Sequence, residues 1–133
     1  MGSGICTLDG QYFTAWDNYG SFTANTSTIE IITTSNYSIP FSGGGASYYN
    51  LWYFRGASTV DNSIIGATTF NDIKDDGSAL HKFIFPASTT INVTSFTVSG
   101  ASCGSKISLE SSSSGTTATI SDGTVQMLPA ICR

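Results

Sequence analysis

The amino-acid sequence predicts an all-β fold, and three observations carry that expectation. Roughly 30% of the chain is Ser or Thr, while only 11% is charged, far from ordinary globular usage. Aromatic residues reach 12% and the mean hydropathy is +0.07, which excludes the composition of a disordered chain. Short apolar runs recur along the whole length, parted by Gly, Ser, Asn and Asp, and no stretch has helical periodicity. Thr, Val, Ile and aromatic side chains suit a pleated surface, and hydroxyl-bearing residues wet its outer face without charge.

The strands follow in order. Thr28 to Ile32 alternates around Ile29 and Ile31, and Tyr48 to Phe54 is the most apolar run. Alternation there predicts Tyr48 and Trp52 on one face, with Tyr49 and Tyr53 on the other. Asn62 to Ile65 and Thr69 to Ile73 come next, then His81 to Phe85 with Phe83 and Phe85 on one face. From Ile91 to Val98 the parity changes: Ile91 and Val93 share a face, and Phe96 and Val98 share one of opposite parity. That change predicts a bulge or corner near Thr94-Ser95. Lys106 to Leu109, Thr117 to Ile120 and Thr124 to Met127 complete the set. Ser42 to Gly45, Asp75 to Ser78 and Ser121 to Gly123 have turn chemistry, and Ser111 to Gly115 is a low-complexity loop. Regular short strands are compatible with an antiparallel sandwich or jelly roll, and equally with a parallel β-solenoid.

At 133 residues the chain has the size of one domain, spanning 1–133. Residues 1–4 read as an expression scar or a cut edge, with neither the basic nor the apolar region of a signal peptide. A net charge of −4 without a basic run argues against nucleic acid, and no apolar run has the length of a membrane span.

Candidate chemistry is sparse, and no cofactor-binding or catalytic motif is present in the sequence. The single histidine, His81, has no second histidine for a metal and no nucleophile motif nearby, so it reads as a surface or strand-edge residue. Asp72, Asp75 and Asp76 offer hard oxygens suited to Ca²⁺, although they lack the alternation of a calcium loop and also read as a hydrated turn. Trp16, Trp52, Tyr49 and Tyr53 are the candidates for stacking on sugar faces, against the commoner role of aromatics as core. Paired carboxylates for glycoside cleavage, Asp72 with Glu30 or Glu110, need a geometry that sequence does not reveal. Asn25, Asn36 and Asn92 lie in Asn-x-Ser/Thr contexts. Of the three cysteines, Cys6 and Cys132 would staple the two ends if paired, three reduced thiols being the alternative; Cys103 would remain.

The order of several phrases adds a resemblance. Asn25-Thr26-Ser27-Thr28-Ile29-Glu30-Ile31, Phe41 to Gly45, and Tyr48-Tyr49-Asn50-Leu51 lead to Thr69-Phe70-Asn71-Asp72-Ile73-Lys74. Phe83 to Thr90, Val93 to Gly100 and Ile107 to Ser112 follow. This succession, roughly three quarters of the chain, resembles a unit of repeat-rich bacterial surface proteins and of phage or virion appendage proteins. The resemblance implies a short right-handed parallel β-solenoid, outside the cell or on a virion. Together with the short repeated strands, the low charge and the missing catalytic constellation, it leads to the expectation of a structural or adhesive subunit that self-associates into a fibre or filament, with no enzymatic role. Members of that group carry many coils, whereas this chain has length for about four or five. Exposed stack ends would then call for capping or for end-to-end assembly. A carbohydrate-binding module that recognises a cell-surface glycan is the main alternative, and a polysaccharide-degrading β-helix the lesser one.

Overall fold

A computed structural model describes residues 2–9, 16–100, 104–122 and 125–127. Every described strand pairing is parallel, and no helix occurs among the described residues. The strands are β1 (Ile5–Leu8), β2 (Trp16–Asp17), β3 (Thr28–Ile31), β4 (Ile39–Ser42), β5 (Ser47–Tyr53) and β6 (Asn62–Ile65). They continue with β7 (Thr69–Asp75), β8 (His81–Phe85), β9 (Thr90–Val98), β10 (Ile107–Ser111), β11 (Thr119–Asp122) and β12 (Val125–Met127). Odd-numbered strands build one sheet in the order β1-β3-β5-β7-β9-β11, with β12 also paired to β9. Even-numbered strands build the other, β10-β8-β6-β4-β2. The chain therefore alternates between two parallel sheets as it climbs, a β-solenoid of about four turns. Parallel neighbours require a crossover, and here each crossover runs through the opposite sheet.

Thr28 aligns with Asn50, Asn50 with Asp72 and Asp72 with Ser95, so each central coil advances 22 or 23 residues. Because side chains alternate across a strand, this register stacks like upon like. One inward column runs Cys6, Ile29, Leu51, Ile73, Phe96. Ile29, Leu51, Ile73 and Phe96 are fully buried. Ile39, Phe41, Ile64, Phe83 and Phe85 face them from the second sheet, and Phe83 stacks on Phe85 with ring centroids 4.7 Å apart.

The corner expected at Thr94-Ser95 is present and is shared by three coils. In the ladder Tyr48 pairs Phe70 and Val93, and Asn50 pairs Asp72 and Ser95, while Tyr49, Asn71 and Thr94 are passed over. Inward parity shifts at that point in β5, β7 and β9 alike. The expected pairing of faces in β5 is thereby corrected. Tyr48 and Tyr53 both point inward, and Trp52 points outward with Tyr49 at the bend. Strict alternation fails because the strand turns a corner between Tyr48 and Asn50.

Three further strands lie where no strand was expected. β1 and β2 are short, and β4 contains Pro40, which cannot donate to a ladder. Asp75 belongs to β7, and Ser121 and Asp122 to β11, so two of the expected turns begin later than their sequence chemistry suggested. The glycine corner behaves as read: Gly44 and Gly45 have φ of 60° and 76°. A side chain on Gly44 would also collide with the Asn18 carbonyl oxygen, so that position needs glycine twice over.

Candidate functional site

The outward face of β3, β5 and β7 carries the described surface with the most varied chemistry. Register aligns Thr7, Glu30, Trp52, Lys74 and Thr97 in one outward column, with Asn50, Asp72 and Ser95 beside it. The Trp52 indole N–H donates to Asp72 Oδ2 at 2.6 Å, fixing the ring along the sheet. Lys74 Nζ lies 5.7 Å from the Trp52 ring centroid and 5.2 Å from that of Phe54, within the range of a cation–π contact. Thr7 donates to Glu30 at 3.4 Å, and Asn50 Nδ2 donates to the Thr28 hydroxyl at 2.9 Å. Burial pushes the Asp76 carboxyl above its ordinary range; Lys74 works against that, and the charges of Asp75 and Glu30 reinforce it. The surface thus offers a half-exposed indole flanked by carboxylates and one ammonium, suited to stacking and hydrogen bonding with a flat polar ligand.

The remaining sugar-stacking candidates lie elsewhere. Trp16 packs at the β2 end of the core, stacked on Phe41 at 6.1 Å and edge-on to Phe22 and Tyr48. Its indole donates to the Tyr48 hydroxyl at 3.0 Å. Tyr53 is fully buried, and its hydroxyl donates to the Ser63 carbonyl at 3.1 Å, so it is a core residue and not a ligand contact. Trp52 and Tyr49 alone of the four are half-exposed on the strand that carries the surface.

The three aspartates do not converge, which corrects the calcium reading. Asp72 faces outward to Trp52, Asp76 is exposed, and Asp75 is turned into the interior at 1% exposure. Among the described residues no group of three or more His, Cys, Asp or Glu side chains is placed to hold a metal ion. Of the paired carboxylates, Glu30 stands on the same face as Asp72, in the neighbouring column. Glu110 is on the second sheet, where Lys82 Nζ donates to it at 2.9 Å. Cys6 is half-buried on β1, and its pairing with Cys132 lies outside the described residues, as does Cys103.

A second assembly was missed by sequence reasoning. Asp75 stands in the inward column Leu8, Ile31, Tyr53, Asp75, Val98, where a carboxylate interrupts apolar neighbours. Asn62 Nδ2 donates to Asp75 Oδ2 at 2.8 Å, His81 Nε2 lies 3.0 Å from the same oxygen, and the Gly77 N–H donates to Oδ1 at 3.2 Å. Arg55, 2% exposed, donates to Asn62 Oδ1 at 2.9 Å and to the carbonyls of Thr33, Ser35, Tyr37 and Val60. Burial lowers the Arg55 pKa from its ordinary value, against the charges of Tyr53 and Asp75. His81 is thus a buried histidine, not the surface residue expected. Period-two alternation held the signal: two residues before Phe83 on β8 is an inward position.

No helix among the described residues is long and apolar enough to cross a membrane, which leaves strand-built spans unaddressed. No protein-family model matches the chain, no curated protein matches its sequence, and no solved structure matches its fold. What the resemblance implied is met at the level of architecture, parallel stacked coils.

Proposed function

We propose that the chain is a structural or adhesive module of an extracellular or virion-borne fibre, acting by stacking copies of itself end to end. The carrying observation is the register. Column after column continues unshifted from β1 through β3, β5 and β7 to β9, so the fold has a fixed axial repeat. Among the described residues β1 has one ladder neighbour, β3, and β10 has one, β8. Such strands carry backbone N–H and C=O groups on their outer side, which a further coil of matching register would satisfy. Ile5, 63% exposed on β1, supplies apolar area at that end. Rigidity then follows from ladders of hydrogen bonds and a dry interior stack, each coil burying its inward face on its neighbours.

Sedimentation velocity over a hundredfold concentration range, followed by negative-stain microscopy, tests this. Growth of rod-shaped oligomers with concentration is expected; a single monomeric species throughout overturns the assembly reading. A second reading, a carbohydrate-binding face, is supported by one observation, the half-exposed Trp52 held by Asp72 on the flat outward side of β5 and β7.

A further inference from the structure

The buried assembly around Asp75 has properties that a stacking role does not require. Hydrophobic residues fill the equivalent inward positions one coil away: Tyr53 and Val98 flank Asp75 in its column, and Ile39 and Phe83 flank Asn62. Asn62, Asp75 and His81 bring polar groups from β6, β7 and β8 to one point. The groups form a chain, Arg55 to Asn62 to Asp75 to His81, in which the first two hydrogen bonds have a fixed direction. An arginine only donates, so Asn62 must accept through Oδ1 and donate through Nδ2.

His81 ends this chain with both ring nitrogens facing acceptors. Nδ1 lies 2.9 Å from the Ala79 carbonyl and Nε2 lies 3.0 Å from the Asp75 carboxylate. A carbonyl accepts and never donates, so Nδ1 carries a proton. The Asp75 oxygen already accepts from Asn62, so Nε2–H donating to it satisfies both partners. We infer that His81 and Asp75 form a proton-holding clasp, which ties β7 to β8 while the imidazole is cationic and releases the intervening turn, residues 76–80, when that proton leaves. Once it leaves, a bare ring nitrogen faces a carboxylate in a closed interior, and neither supplies a donor.

The surroundings determine the direction of the response. Asp75 faces the ring from β7, and the Gly77 backbone packs so closely that a side chain there would strike the imidazole. Asn62 on β6 and Arg55 beyond β5 stand on the far side of Asp75. Tyr53 at the end of β5 is a neutral hydroxyl, its pKa raised by burial and then by Asp75. From the residue before β10 the contact is a backbone one, the Lys106 carbonyl accepting the His81 N–H at 3.4 Å. Asp76, next to Asp75, is exposed at the mouth of the turn. Burial is the strongest influence on the imidazole and opposes its charge. The hydrogen bond and charge of Asp75 with the Ala79 carbonyl outweigh it, against Arg55, and the His81 pKa rises above its ordinary value. A pKa raised by folding stabilises the fold fully below about pH 6.5, the unfolded value. That stabilisation is lost as pH rises through the folded value.

His81 is the one histidine in the sequence, so its ring resonances in a proton NMR spectrum are unambiguous. The experiment follows their titration from pH 5 to 10 in the intact protein, together with amide exchange across residues 76–80 and the urea midpoint. A ring transition above pH 6.5 is expected, with faster exchange of those amides and a falling urea midpoint over the same range. His81→Gln should lose that pH dependence of the midpoint. A ring transition at or below pH 6.5 overturns the inference, as does an identical pH dependence in the variant. Should His81→Gln fail to fold, the titration and exchange of the unmodified protein decide it alone.

Discussion

Replacing Arg55 with alanine tests how far a buried guanidinium holds the coils together. The side chain has five N–H donors, and all five find acceptors: the carbonyls of Thr33, Ser35, Tyr37 and Val60, and Asn62 Oδ1, at 2.9–3.1 Å. These acceptors lie on the segment before β4, on the segment before β6 and at the first residue of β6, so one side chain spans two coil crossovers. In Arg55→Ala the contacts to Thr33 and Asn62 are the most enclosed, and each orphaned buried acceptor costs about 1–3 kcal/mol. The other three are partly exposed, and water replaces the arginine there at little cost. Loss of the cation beyond Asn62 also leaves Asp75 with one fewer favourable charge. The combined loss is about 3–5 kcal/mol, the usual range for removing one partner of a buried charged network. A chain of this length has a total stability of roughly 7–20 kcal/mol, so the effect is large. Urea unfolding followed by tryptophan fluorescence measures it, and with a slope of about 2 kcal/mol per molar the midpoint should fall by about 2 M. Arg55→Lys should lose most of that stability too, since three donors on one nitrogen do not reach five dispersed acceptors. A midpoint shift below about 0.5 M for Arg55→Ala at unchanged slope, or full stability in Arg55→Lys, refutes the reasoning.

Two other outcomes are expected. Phe83→Ala removes a fully buried ring that contacts Phe85, Phe96 and Tyr53, and should cost about 3–5 kcal/mol in the same urea assay; a loss under about 1 kcal/mol would mean the coils collapse to refill the space. Trp52→Ala should leave the fold intact, its ring being outward, and should abolish any signal the parent gives on a glycan array; signal retained in the variant removes the carbohydrate reading from this face.

The second sheet's columns could have been followed from particular residues. Phe83 and Phe85 alternate, and extending their parity backward by two residues places His81 inside. Ile64 does the same for Asn62, and on the first sheet the parity of Ile73 carried forward by two places Asp75 inside. Polar type argued the other way, because a lone Asp or His in a poorly charged chain reads as a turn or surface residue. Parity was the better guide, since a strand that stays in register has no means of turning one side chain outward. On the outer face, Trp52 was legible as an aromatic in a strand, but its partners Asp72 and Lys74 lie about one coil away in sequence, and no local pattern joins them.

Composition and alternation alone determined the all-β class, most strand positions and the corner at Thr94-Ser95, because these follow from side-chain shape and a period of two. Parallel stacking did not follow from them, since a period of two is common to antiparallel and parallel strands and the succession of phrases pointed to coils only by resemblance. Tertiary structure decided which residues meet one coil apart, Tyr48 with Phe70 and Trp52 with Lys74. It also decided which meet across the two sheets within a coil, Arg55 by way of Asn62 with Asp75 and His81. The physical reason is that a solenoid converts sequence distance into vertical contact through its coil length. That length depends on where each crossover and corner closes, and crossovers of varying composition carry no periodic signal.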